Sequence, residues 1–163
     1  MIRKELDKKF EELLKAYGLD EESLAKEEAR KKNKYYIMMN DIMDKYKKEN
    51  IIFIFTDEKL DYCYLDTYKV YISKNQYENA DAESVFNLLH EIGHLKSNKP
   101  GMKRCEEEYY ATVWAIKKSK KYNIKIPKYI RNSYQEYIYN WRTSAIKKHA
   151  KIVPSIKELT LIW

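Results

Sequence analysis

Residues 81–97 read DAESVFNLLHEIGHLKS, and the rest of the chain is best interpreted from this stretch. Val85, Phe86, Leu88, Leu89, Ile92 and Leu95 recur at helical spacing and form a wide apolar face. Asp81 is a suitable opening cap, and Asn98-Lys99-Pro100-Gly101 breaks the pattern at the other end. The spacing therefore predicts a packed helix, not a peripheral one, from Asp81 to about residue 97. Upstream, IIFIF (51–55) is a short β-branched and aromatic run, and YCYLDTYKVYIS (62–73) reads as one or two more strands. Together they predict a small antiparallel sheet of about three strands.

Before the strands the pattern is helical. Ile2, Leu6, Phe10, Leu13, Leu14 and Tyr17 share a face, with Gly18 as a C-terminal cap. Asp20 opens a charged segment that turns apolar at Tyr35, Tyr36, Met39, Ile42, Met43 and Tyr46, as one long helix or two broken near Asn33. After Gly101, helices are expected at about 104–121 and 128–148, separated by NIKIP (123–127). Helices, then strands, then helices make an α+β pattern in a single domain over 1–163. Within it, 1–49 is N-terminal helices, 50–148 holds the sheet and the site-bearing helices, and 149–163 is a tail.

Composition agrees with a mainly helical fold. Of 163 residues 44% are hydrophobic, enough for a core, and only three are glycine and three proline. The sixteen tyrosines suit positions at the edge of a core. No apolar run follows the charges of MIRKELDKKF, and none reaches the roughly 18 residues a bilayer span requires. Cys63 and Cys105 form no disulfide framework, so a reducing cytoplasm is the expected setting. The net charge of +7 is uneven: residues 116–163 hold 12 basic and 2 acidic side chains. That region reads first as a lysine-rich solvated surface and second as a candidate for acidic partners or phosphates.

The chemistry lies in His90-Glu91-Ile92-Gly93-His94. In an H-E-x-x-H helix the two imidazoles share one face a turn apart and can reach one ion, here expected to be zinc. Glu91 then accepts the proton of a water activated by the metal. Only three histidines occur, and the third, His149 in KKHAK, reads as a solvated surface residue. A catalytic zinc usually needs a third protein ligand. HEIGHLKSNKP lacks the glycine and third histidine of the metzincin extension, so a glutamate from the next helix, as in gluzincins, is expected instead. Ala111, Trp114 and Ala115 form that helix's buried stripe. Glu107 and Glu108 flank it, with Glu108 the preferred ligand and Glu107 the reserve. Cys105 reads as a small apolar residue. Tyr109, Tyr110, Tyr134 and Tyr137 are all candidate donors to a transition-state oxyanion, and none is singled out.

HEIGH followed by EEEYYATVWA resembles the ImmA/IrrE-like metallopeptidases of phages and bacterial mobile elements. In that family a HELGH-type motif precedes E-x-E-A-x-x-F-A. The resemblance places the ligand glutamate at Glu108, the alanine at Ala111 and the Phe-Ala pair at Trp114-Ala115, while Tyr110 stands where the family has its second glutamate. It covers about residues 68–148, and the segment from Ala111 to about Ile146 is similar to the phage-encoded branch. It implies a zincin-like domain and limited proteolysis of a repressor, often of helix-turn-helix type, or of another regulator. The segment TYKVYISKN (67–75) is the candidate edge strand for aligning a substrate.

Two further readings remain. A regulatory protein would close the zinc with a fourth protein ligand, such as Cys105 or a second glutamate. A nucleic-acid-binding module would use the basic C-terminal third, with Tyr137, Tyr139 and Trp141 for stacking.

Overall fold

The computed structural model describes residues 11–18, 20–147 and 163. The early apolar positions Ile2, Leu6 and Phe10, together with His149 and most of the expected tail, lie outside these residues. Residues 11–16 are helical. Seven elements of the central region and two long final helices follow. They are α1 (Glu21–Lys32), α2 (Lys34–Lys47), β1 (Ile52–Thr56), β2 (Tyr62–Tyr64), β3 (Lys69–Ser73), α3 (Lys74–Glu78), α4 (Ala82–Ser97), α5 (Arg104–Lys121) and α6 (Lys128–Lys147). The architecture is α+β, mostly helical, with one three-stranded sheet.

Asn33 divides the charged helix from the apolar one. Its backbone N–H closes α1 on Arg30, and its side-chain oxygen accepts from the N–H of Tyr35 at 2.9 Å to open α2. Its amide also donates to the Ala80 carbonyl at 2.8 Å, which ties this break to the start of α4. Accordingly α1 buries nothing, whereas α2 buries Met39, Ile42, Met43 and Tyr46.

The sheet is mixed, which corrects the antiparallel expectation. β3 occupies the centre in the order β1-β3-β2, parallel to β1 and antiparallel to β2. Residues 65–68 form the turn of a β2–β3 hairpin, with Tyr68 at φ 52°. The chain leaving β1 does not pair with β2, because β3 enters between them. Burial gives the reason: Val70 and Ile72 of β3 are fully buried, while Ile52 and Phe55 of β1 are half exposed. The most deeply buried strand is therefore the central one, although the run IFIFT of β1 is the more apolar in sequence. The sheet is followed by the short helix α3, which no sequence signal announced.

α4 runs through the middle of the molecule and buries eleven of its sixteen residues. Asp81 caps it, accepting from the Ser84 N–H at 2.9 Å. Its closest neighbour is α5, and the approach is possible because Gly93 faces Ala111. A Cβ at residue 93 would lie 2.6 Å from the Ala111 carbonyl oxygen. Close helix contact at this point brings the side chain one turn earlier on α5 to the His90–His94 face.

Candidate metal centre

His90 and His94 are both buried on α4, and their Nε2 atoms are 3.1 Å apart. Glu108 arrives from α5, also buried, with Oε2 at 3.3 Å from His90 Nε2 and 3.4 Å from His94 Nε2. Three ligand-type atoms from two helices thus form a nearly equilateral triangle. Ligand atoms of His90, Glu91 and His94 also lie within 4.8 Å of one another, a group that could hold a metal ion. Of the two sets, the one closed by Glu108 is tighter, which leaves Glu91 at its flank.

The electrostatics follow from burial and contact. Burial lowers the His90 pKa and favours the neutral, ligating form of the ring. Burial alone would raise Glu108, but its contacts with the His90 and His94 rings outweigh it and hold the carboxyl well below its usual range. Its second oxygen, Oε1, is in an ion pair with the Arg104 guanidinium at 2.5 Å. Glu91 moves the other way: burial pushes it up to about 7, even with His94 nearby. A carboxylate poised there is matched to accepting a proton near neutral pH.

The site opens onto a cleft with two connected lobes. The larger, about 420 Å³, is lined by Leu60, Asp61, Glu83, Asn87, Ser133 and Tyr134. The smaller, about 180 Å³, is lined by Tyr62, Cys63, His94, Arg104 and Glu108. Asp61, His90, Glu91 and Tyr137 border both. Tyr134 packs its ring 5.2 Å from that of His90 and donates its hydroxyl to Asn87 at 2.9 Å. Asp61 accepts from the Ser73 N–H at 2.8 Å while its other oxygen is buried without a partner, and burial raises its pKa to about 6.

His90, Glu91, His94 and Glu108 therefore come together, and Glu107 does not. Glu107 instead faces Arg104 at 3.7 Å. Cys105 is buried but lines neither lobe. Of the four tyrosines considered, Tyr134 and Tyr137 reach the cleft, while Tyr109 and Tyr110 pack on each other and do not. The segment 67–75 is not an edge strand; its β3 lies at the centre of the sheet, and the strand beside the cleft is β2. Sequence reasoning missed Arg104, Thr112, Asp61 and Cys63. The first two stand four residues either side of Glu108, a helical spacing that signals contact. The last two carry no local signal, because only the sheet brings them to α4.

No described helix is long and apolar enough to cross a membrane. No family model matches the chain, and no curated protein or solved structure matches it.

Proposed function

We propose that this chain is a zinc-dependent metallo-endopeptidase of the ImmA/IrrE-like type, with a zincin-like domain of the gluzincin kind. The observation that carries the reading is the triangle of His90 Nε2, His94 Nε2 and Glu108 Oε2, with edges of 3.1, 3.3 and 3.4 Å. Tetrahedral zinc bonds of 2.0–2.1 Å place neighbouring ligand atoms about 3.3 Å apart, so this donor set fits that ion. Two imidazoles and one carboxylate also leave a fourth position for water or substrate, as catalytic zinc sites do. When bound, zinc would polarise a carbonyl and lower the pKa of its coordinated water to about 7.

The chain's own residues supply the rest. Glu91, which borders both lobes of the cleft beside the two histidines, accepts a proton from the attacking water and passes it to the leaving amine. β2 borders the smaller lobe through Tyr62 and Cys63, and its far edge has no strand beside it among the described residues. An extended substrate that adds to this edge lies beside the lobe that Glu91 also lines. In this reading the substrate is a repressor or other regulator of a phage or mobile element, and the cut is a limited one.

Protein produced with zinc present is expected to hold about one zinc per chain. The Glu91→Gln variant is expected to keep the metal and lose hydrolysis of a quenched-fluorescent peptide library or of a co-encoded regulator. A correctly folded, metal-free product from zinc-replete cells would overturn the proposal.

A further inference from the structure

The arrangement around His90 extends beyond the three ligand atoms. Thr112, fully buried on α5, has its hydroxyl 2.7 Å from the carbonyl oxygen of Glu108 and 3.3 Å from His90 Nδ1. A hydroxyl has one proton, and a carbonyl can only accept. The shorter contact therefore consumes the Thr112 proton, so Oγ1 meets His90 as an acceptor. A hydrogen on His90 Nδ1 satisfies this contact, whereas one on Nε2 would go to Glu108 Oε2 at 3.3 Å and leave Nδ1 facing Oγ1 without a hydrogen between them. A neutral imidazole with its hydrogen on Nδ1 presents a bare lone pair at Nε2, the atom that faces His94 and Glu108.

We infer that Thr112 is a positioning residue: its hydroxyl locks His90 in the Nδ1–H tautomer and thereby readies Nε2 for metal. The inference rests on the metallopeptidase reading of the site for its consequence, but not for its geometry. Two ligands are tied by this one side chain. Thr112 is anchored to the Glu108 backbone, and it holds the ring of His90 across the α4–α5 contact. The Glu108 carbonyl lies one turn upstream and can keep its helical N–H bond from residue 112 without the hydroxyl, so loss of the hydroxyl falls on His90. With a side chain that cannot accept, the Nδ1 hydrogen is left unpaired in a dry interior. The ring then shifts its hydrogen to Nε2, where Glu108 Oε2 stands ready to accept it. Metal must displace that hydrogen before it can bind.

Thr112→Val keeps the branched shape and removes the acceptor, and Thr112→Ser keeps the acceptor. The expected result is a zinc dissociation constant raised about 10–100-fold by valine and restored to within about threefold by serine, measured by competition with a chromophoric chelator. In zinc-free wild-type protein labelled with ¹⁵N-histidine, His90 is expected to show the Nδ1–H pattern, and in Thr112→Val the Nε2–H pattern. A wild-type His90 in the Nε2–H form, or an unchanged zinc affinity in Thr112→Val, would overturn the inference. Wild-type protein that binds no zinc would instead sink the metallopeptidase reading, and the tautomer measurement would still decide the role of Thr112. If valine prevents folding, the wild-type spectrum and the serine variant carry the test.

Discussion

Replacing Gly93 by alanine tests whether the contact between α4 and α5 sets the ligand triangle. The added Cβ would sit 2.6 Å from Ala111 O, 3.1 Å from its Cα and 3.2 Å from its carbonyl carbon, where ordinary contact begins at 3.4 Å. All three neighbours are backbone, so no side chain can swing aside, and the helices must separate by about 0.8 Å. Glu108 stands one turn before Ala111 on α5 and moves with it. Its distances to the two Nε2 atoms, 3.3 and 3.4 Å, then approach about 4 Å, beyond the ±0.2 Å tolerance of a metal site. Overpacking costs about 1–3 kcal/mol. The better helix propensity of alanine offsets about 1 kcal/mol. Thermal unfolding should therefore fall by only about 0–8 °C in a chain of this size. Zinc affinity should fall at least about tenfold. Ile138→Val on α6, a core truncation costing about 0.5–1.5 kcal/mol, serves as the control that loses stability without losing zinc. A Gly93→Ala protein that binds zinc as tightly as wild type would refute the argument that this approach positions Glu108.

Two more substitutions probe the cleft. Glu108→Gln should weaken zinc binding by at least about tenfold, while Glu107→Gln should leave it unchanged; a reversed order in a chelator competition would transfer the ligand role to Glu107. Asp61→Asn addresses pH. Because the folded pKa of Asp61 is raised to about 6, its contribution favours folding below the ordinary 3.8 and is lost as pH rises through 6. Above that point the buried charge costs up to about 3 kcal/mol, so the asparagine variant should gain most at pH 8 and little at pH 4. A gain in melting temperature that does not vary over this range would exclude Asp61 as the cause.

Local rules carried the reading of this chain as far as local causes reach. The α4 helix was legible from end to end, since Asp81, the apolar stripe and the Asn98-Lys99-Pro100-Gly101 breaker all act within one turn of the residues they govern. Asn33 was legible as a break for the same reason. Glu108 could be preferred over Glu107 because the Ala111 and Ala115 stripe gives the buried face of α5. Strand order was not legible. Hydrophobic runs locate β1, β2 and β3, but which of them lies in the centre depends on how α2 and α4 cover the sheet. That error carried over to the substrate edge, assigned to 67–75 when β2 borders the cleft. Asp61 and Cys63 escaped notice because they reach His90 and Glu91 only through that sheet order.

The shortness of β2 has a consequence for selectivity. Three residues at about 3.3 Å each leave about 10 Å of free edge beside the cleft. An arriving strand gains few main-chain bonds there, each worth about 0.5–1.5 kcal/mol net. Such a toehold is too small to retain a short peptide by itself. In the peptidase reading, grip must come from surfaces further from the cut, so the enzyme discriminates by the folded shape of its target. A peptide carrying only the cleavage sequence would then be a far poorer substrate than the intact protein that contains it.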